Sequence, residues 1–582
     1  MQSVTSSSPR KMHGLPRKLI LRELKKIKWH RKFSTPAVLQ KDEFILKSTL
    51  SDVIIPKISF TERLWKDKSK FANLVALESV ETKKSYTYDK LQNYAANFAT
   101  FLVKYGLKPG DVVGLMLPNC PEFPVVALGT LQAGCVLATI NPIYKEFEVS
   151  HHAKIAEPKL VVTSPECYDS VVKGLKTARN DSKIIIVEQP NTKTPNGTIK
   201  YSEIAENGKA DYTLLDKIER KEDDLAIIPF SSGTTGLPKG VEITYKNILA
   251  AVDIMERKEN CFPELACSSF QDIVPCILPF YHIYGMIVTL FGHLSKGCKL
   301  TTLSSFSANL YLNHLKTQDV TLLYVVPPVA ILLGKHPDVT SEHFRKVKRV
   351  ICGAAPLAAS DAEAILEKSN NNLEFSQGYG TTETTSLATV CFIGAKIVDY
   401  DCSGAPMAGV KIKFVDPISG DNLPIGQSGE ICVGGPIIMK GYHKNEEATK
   451  ECITEDGFFK TGDLGYYNDT PGHGLKITDR IKELIKVKGL QVAPAELESI
   501  LRSHPKVAEA AVIGVPHEFY GETPKAFVIL KKDAKIPSEE LQQFVANKVA
   551  SFKKIEEVVF VNEIPKTASG KILRRDLKKM YA

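Results

Sequence analysis

The chain has 582 residues, 43% hydrophobic and 24% charged, and a formal net charge of +9. That length exceeds one ordinary domain and predicts two or three built around a large core. The positive excess sits in residues 1–40, with ten Lys/Arg against one acid; the other 542 residues hold 65 bases and 65 acids, so the body lacks the net basic charge that attracts nucleic acid.

In chain order the leader comes first. Residues 1–8 are Ser-rich, and residues 16–29 (PRKLILRELKKIKW) put Ile20, Leu24 and Ile27 on one helical face with basic residues around much of the rest. A basic, acid-poor amphipathic leader resembles a mitochondrial presequence, with cleavage expected near Phe33. Lysines are plentiful where transit peptides favour arginine. The other reading is therefore a helix lying on an anionic membrane surface, in a cytoplasmic or membrane-associated protein. The final Lys-Lys-Met-Tyr-Ala is not a peroxisomal SKL signal.

The globular part is expected from about Asp42. The Tyr88–Leu91–Tyr94–Phe98–Leu102 spacing predicts a helix over Tyr86 to Tyr105, and Pro109-Gly110-Asp111 turns into a strand over Val112–Leu117. Phe123 to Tyr144 is uncharged and long enough to span a bilayer, but Pro124, Gln132, Asn141 and Pro142 make it a buried helix and loop. Strands are predicted over Leu160–Thr163, Lys183–Val187, Leu225–Phe230, Asp272–Leu278, Leu322–Val326, Arg349–Cys352 and Phe375–Gly378. Their alternation with helices predicts a layered α/β fold.

Gly409 to Gly434 reads as a β-rich section with Gly/Pro turns, and a boundary falls near Asp479-Arg480. Beyond it, helices over Ala495–Ser503 and Glu539–Val549 and strands over Ala508–Val515 and Lys525–Leu530 predict a small mobile α+β domain. The division is thus a leader (1–40), a large N-terminal domain (41–481) and a C-terminal lid (482–582). Twelve cysteines, Cys120 to Cys452, form no CxxC pair and no zinc-spaced cluster, which predicts buried free thiols in a reducing compartment.

Ser231 to Val241 (SSGTTGLPKGV) follows the Leu225–Phe230 strand. Its glycines let backbone N–H groups approach an anion, while Ser231, Ser232, Thr234 and Thr235 add donors and Lys239 a mobile charge. We read a phosphate-gripping loop, though not a Walker loop, because Gly240 follows Lys239. His282 lies among aromatics in PFYHIYG, where a lone His is more often a packed core residue. In CGAAPL, Gly353, Ala354 and Ala355 leave room for a planar ring or an acyl chain. In QGYGTTET, Tyr379 can stack on adenine, Thr382 can reach a phosphate, and Glu383 is a hard oxygen ligand suited to Mg²⁺. Asp463, after a glycine turn, offers two acceptors to adjacent ribose hydroxyls. Lys571, after a Ser-Gly turn in PKTASGKI, can reach out of its domain to stabilise charge at an attacked phosphate.

In this order the motifs resemble the adenylate-forming superfamily of acyl- and aryl-CoA synthetases, firefly luciferases and peptide-synthetase adenylation domains. The similarity is greatest to 4-coumarate–CoA ligase-like acyl-CoA synthetases and covers nearly all the chain beyond the leader. It implies ATP, Mg²⁺ and coenzyme A as cofactors. The nucleotide would be bound by Ser231, Ser232, Gly233, Thr234, Thr235, Gly236 and Lys239, by Gln377, Gly378, Tyr379 and Gly380, and by Asp463 and Arg480. His282 would face the carboxylate being activated, with Tyr284, Val288, Gly353, Ala354 and Ala355 lining the acyl pocket. Thr382 and Glu383 would serve the phosphates and Mg²⁺. Lys571 would catalyse adenylation. Lys482 would be the hinge, and Lys486, Lys488, Gly489 and Gln491 would serve the thiol step and the CoA tunnel.

The implied reaction joins a small carboxylic acid to CoA through an acyl-adenylate. Ala251 stands where luciferases carry a luciferin-contacting arginine, which speaks against a light-emitting role, and the apolar Val288 suits a medium or long fatty acid, the expected substrate, at least as well as coumarate. An aryl-CoA ligase, transfer to another thiol and a non-catalytic nucleotide-binding scaffold are the alternatives. The intact set of expected side chains speaks against the last.

Overall fold

The computed structural model describes residues 43–190, 192–231, 238–260, 263–487, 490–517, 519–549, 551–567 and 570–581. The leader expected over 1–40 lies outside them, as do Ser232, Gly233, Thr234, Thr235, Gly236, Lys488 and Gly489.

The fold is mixed α/β, a large N-terminal part followed by a small α+β one. A nine-stranded sheet runs Phe230–Ser231, Lys239–Thr244, Leu225–Ile228, Val136–Thr139, Val112–Met116, Leu160–Thr163, Lys183–Ile186, Ile199–Lys200, with Gly441–Tyr442 against Lys239–Thr244. Its six strands from Leu225–Ile228 to Ile199–Lys200 are parallel. They are apolar runs because helices cover both faces of such a sheet. A second sheet aligns Ile273–Cys276, Lys299–Thr302 and Val75–Ser79 in parallel. A third aligns Leu322–Val325, Arg349–Cys352 and Glu374–Tyr379. The β-rich section is antiparallel, in the order Ile45–Lys47, Lys411–Val415, Gly429–Gly434, Phe459–Tyr467, Leu475–Arg480.

The last sheet joins Leu490–Val492, Ile485–Val487, Gly521–Leu530, Val507–His517 and Glu557–Phe560. Alternation along Val507–His517 sends Ala510 and Val512 to a core with Leu497, Val528 and Leu541. Ala511 and Ile513 point to the opposite core, with Phe527 and Leu577.

Several expected boundaries shift by a few residues, and two expectations miss a strand altogether. The helix expected over Tyr86 to Tyr105 is Tyr88–Tyr105, because Ser85–Thr87 pairs with Val75–Glu78 as a strand. Thr87 is its N-cap, accepting from the Lys90 N–H, a cap worth about 1 kcal/mol. Gly106, at φ +102°, ends it. The uncharged Phe123–Tyr144 stretch is a buried helix, Glu122–Gln132, then a strand, Val136–Thr139, rather than helix and loop. Gly134, at φ +72°, makes the turn between them. A short apolar run does not by periodicity tell a buried strand from other buried structure. No described helix is long and apolar enough to cross a membrane. None of the eleven described cysteines is joined in a disulfide among the described residues; Cys267 is exposed, contrary to the expectation of burial.

Candidate active site

In parallel sheets ligands bind beyond the carboxyl ends of the strands. The predicted motifs lie at such ends: Ser231 beyond Leu225–Ile228, His282 beyond Ile273–Cys276, Gly353 beyond Arg349–Cys352, and Gly380 beyond Glu374–Tyr379. A cavity of about 1200 Å³ opens beyond the last two of these ends, with Ala354, Ala355, Tyr379, Asp463, Arg480 and Lys571 in its walls; Ser231, His282, Thr382 and Glu383 are not among its lining residues.

Close packing explains two glycines, against backbone at Gly380 and against a side chain at Gly378. A Cβ on Gly380 would fall 1.5 Å from the Ser386 carbonyl oxygen, and one on Gly378 would meet Leu387 Cδ1 at 2.7 Å. Ala354, Thr385 and Ser386 all have positive φ (74°, 47° and 90°). Non-glycine residues in that region store strain, which concentrates at functional sites.

The ribose-side group is pre-oriented. The Tyr379 hydroxyl donates to Asp463 Oδ2 at 2.8 Å, and Arg480 Nε donates to Asp463 Oδ1 at 3.0 Å. Gln377 also lines the cavity, but its amide is spent on the walls. Its Nε2 donates to the Leu357 and Tyr400 carbonyls (2.9 and 2.6 Å), and its Oε1 accepts from the Leu357 N–H. It braces the pocket rather than offering a free nucleotide contact. Ser231 Oγ is buried with no hydrogen-bond partner among the described residues, as a ligand-directed donor would be.

His282 is held from three directions. Asn119 accepts from the Phe280 N–H and donates to the Cys276 and Leu278 carbonyls, while Thr139 donates to the Tyr281 carbonyl. The Tyr284 N–H donates to His282 Nδ1 at 3.2 Å, which leaves the proton on Nε2. Burial, then the nearby Lys571 charge, pulls His282 down to about 4, so near neutral pH it is an uncharged donor.

Lys571 reaches in from the C-terminal part. Enclosure, then Arg480, pulls it down to about 8, while Asp463 and Glu383 oppose the shift. Asp479, at the domain boundary, is buried too: it accepts from the Arg480 and Ala495 N–H groups (2.6 and 3.0 Å), yet burial pushes it up to about 7. Lys482 is exposed at the cavity edge, beside Glu483, which pairs with Arg574.

Glu383 is 8% exposed, and Tyr442 donates to its Oε1 at 3.0 Å. The neighbouring Thr382 is half-buried. Among the described residues no group of three or more His, Cys, Asp and Glu gathers to hold a metal. One carboxylate and a hydroxyl fit Mg²⁺, which keeps waters and takes further oxygens from substrate phosphates.

Of the residues expected on the acyl side, Ala354 and Ala355 line the cavity while Tyr284, Val288 and Gly353 are buried. Val288 is 1% exposed, and the Tyr284 ring lies against Gly353, where a Cβ would stand 3.2 Å from Tyr284 Cε1. Of the residues expected to serve the thiol step, Lys486 is exposed and absent from the cavity wall, and its strand pairs with the one that carries Gln491. Sequence reasoning passed over Tyr442, Glu483, Arg574 and Pro328. A Gly-Tyr pair or a Pro-Pro helix start gives no local sign of a site.

The family model for AMP-binding enzymes matches residues 64–443, and that for the AMP-binding enzyme C-terminal domain matches 496–571. The chain is 35% identical over 547 residues to 4-coumarate–CoA ligase 1 of Arabidopsis thaliana, covering 93% of this chain and 96% of that one. It is 36% identical over 544 residues to 4-coumarate–CoA ligase 2 of Nicotiana tabacum, covering 93% and 98%. The structure of ATP-bound MatB from Rhodopseudomonas palustris superposes with a TM-score of 0.80 at 29% identity, covering 90% of this chain and 98% of that one. The chain belongs to the AMP-binding enzyme family, as an acid–thiol ligase that works with ATP, Mg²⁺ and coenzyme A.

Proposed function

We propose that this ligase activates a medium- or long-chain fatty acid, converting it through the acyl-adenylate to the acyl-CoA. The observation that carries the adenylation step is Lys571, set by the C-terminal part close to Asp463, Arg480, Glu383 and His282. A carboxylate oxygen attacks the α-phosphorus and the bond to pyrophosphate breaks. Negative charge gathers on both partners, and the Lys571 ammonium stabilises it. His282 donates from Nε2 to the acid without adding charge. Asp463, held by Tyr379 and Arg480, takes the ribose hydroxyls. Mg²⁺, held through Glu383 and Thr382, neutralises phosphate charge when bound.

In the second step the CoA sulfur attacks the acyl carbon and AMP leaves. Lys486 is assigned to that step from an exposed position, so the small domain turns about Lys482 to bring it in.

The fatty-acid reading is supported by the apolar residues of the two contacting helical segments Tyr245–Met255 and Tyr284–Phe291. Ala251, Met255, Ile287 and Val288 are 5% exposed or less, and the Thr289 hydroxyl is committed to the Gly285 carbonyl at 2.6 Å. A site for a phenolic hydroxyl needs a buried partner for it. The second reading, an aryl acid, is favoured by the aromatic ring of Tyr284 lying against Gly353 and by the relatives' names.

The test is AMP formation by the full chain with MgATP, with and without CoA, over acetate, octanoate, palmitate and 4-coumarate. CoA-dependent AMP with octanoate or palmitate is expected. Turnover of 4-coumarate alone replaces the fatty acid with the aryl reading, and ATP binding without turnover on any acid returns the scaffold reading.

We also propose a mitochondrial address from the leader. Residues 1–40 fused ahead of a fluorescent protein should carry it to mitochondria; membrane-bound or diffuse signal would replace that address with one of its alternatives.

A further inference from the structure

Tyr442 touches both charged ends of the phosphate site. Its hydroxyl donates to Glu383 Oε1 at 3.0 Å, and the Lys239 ammonium lies 4.6 Å from its ring centroid. Lys239 leaves the glycine-rich loop and Glu383 is the acid assigned to Mg²⁺. One ring therefore holds a cation on its face and a carboxylate at its edge.

The ring is itself fixed by backbone. Val241 and Tyr442 pair across a two-residue antiparallel ladder, so Tyr442 rides on the strand that begins at Lys239. The Tyr442 N–H donates to Thr449 Oγ1 at 2.8 Å, and the adjoining His443 Nδ1 lies 2.7 Å from Glu242 Oε1. The same segment grips the Glu383 loop: the Met439 N–H donates to the Glu383 carbonyl at 2.8 Å and Thr385 Oγ1 to the Ile437 carbonyl at 2.6 Å. Asn247 Nδ2 donates to the Pro436 and Ile438 carbonyls, both at 2.8 Å. Residues 436–443 thus strap the exit of the phosphate loop to the acid.

We propose that Tyr442 is a positioning residue that sets Glu383 against Lys239, so that the phosphates and Mg²⁺ of ATP are received together. The proposal rests on the ATP-binding reading of this cleft and is independent of which acid is activated. Without the hydroxyl, the Glu383 carboxylate loses its fixed place and Mg²⁺ itself has to order it, while Lys239 keeps its platform on the ring. With it, the two charges stay apart on one rigid ring.

Tyr442→Phe removes the hydroxyl and keeps the ring; Tyr442→Leu removes both. ATP binding to the full-length protein is measured by calorimetry, once with Mg²⁺ and once with chelator, beside the Mg²⁺ concentration that half-saturates pyrophosphate release. Tyr442→Phe should bind metal-free ATP as wild type does but lose about tenfold of the affinity that Mg²⁺ adds, the usual scale for a hydrogen bond to a charged group. Its half-saturating Mg²⁺ should rise in step. Tyr442→Leu should in addition weaken metal-free ATP, because Lys239 loses its platform. A Tyr442→Phe protein with the wild-type gain from Mg²⁺ overturns the proposal alone, as does an equal loss with and without metal. Wild-type protein that gains nothing from Mg²⁺ overturns the ATP reading and the proposal together.

Discussion

Gly570 lies against the ring of Pro328: a Cβ placed on it would stand 2.7 Å from Pro328 Cδ, and its φ is +80°. Pro328 is at the start of the Pro327–Lys335 helix of the large part, so this contact seats the residue just before Lys571. Gly570→Ala meets both a clash and a left-handed backbone that costs an L-residue about 1–2 kcal/mol. Adenylation should fall at least about 5–30-fold. Thioester formation from supplied acyl-adenylate, which uses the other domain orientation, should change little; equal loss of both steps would show that the contact is not specific to adenylation.

Lys571→Ala should lower adenylation by roughly 10²–10³, the loss typical of one placed electrostatic group. A near-normal pyrophosphate burst would remove Lys571 from that role.

The pH profile follows from the same residue. With Lys571 pulled down to about 8, its useful ammonium form is present below that pH and lost above it. The kcat/KM for adenylation, which reports the free enzyme, should therefore fall as pH rises through about 8. Lys571→Arg should carry that limb to higher pH, because a guanidinium stays charged. His282, at about 4, should add no limb near the usual imidazole range.

Lys486→Ala should leave the pyrophosphate burst intact and slow acyl-CoA formation, since the side chain is exposed and outside the adenylation cavity. If both steps fall together, the division of labour between the two lysines is wrong. Rapid-quench measurement of pyrophosphate and acyl-CoA from one reaction separates the cases.

Tyr379→Phe keeps a ring of nearly the same size and removes the hydroxyl that holds Asp463 Oδ2. Asp463 would keep only its Arg480 contact. The KM for ATP should rise several-fold with little change for the acid, about the worth of one hydrogen bond to a charged group. An unchanged ATP KM would show that Arg480 alone orients the carboxylate.

By itself the sequence determined the chemistry that is local to short segments. The strand Arg349–Cys352 runs into small residues, Glu374–Tyr379 runs into an acid-bearing loop, and the two lysines lie on one small domain. Such signals are legible because a strand end, a glycine turn and the side chain it presents are neighbours in the chain. Many of the parallel strands were equally legible as apolar runs, but Val75–Ser79, Ile199–Lys200 and Lys299–Thr302 were passed over, as were Ser85–Thr87 and Val136–Thr139. Ser85–Thr87 is a three-residue strand. Val136–Thr139 hides within an uncharged stretch where no turn residue but Gly134 marks its start.

Only the tertiary structure decided how distant segments divide the work. Gln377 has the motif position of a ligand, yet its amide is consumed by carbonyls at 357 and 400. Tyr442 lies 59 residues from Glu383 and carries no motif of its own, yet it bridges the acid and Lys239. Gly570 looks like a routine turn residue until Pro328 stands behind it. A hydrogen bond, a cation over a ring and a missing Cβ each depend on the partner's position in space, and residue type and spacing along one segment do not encode that position.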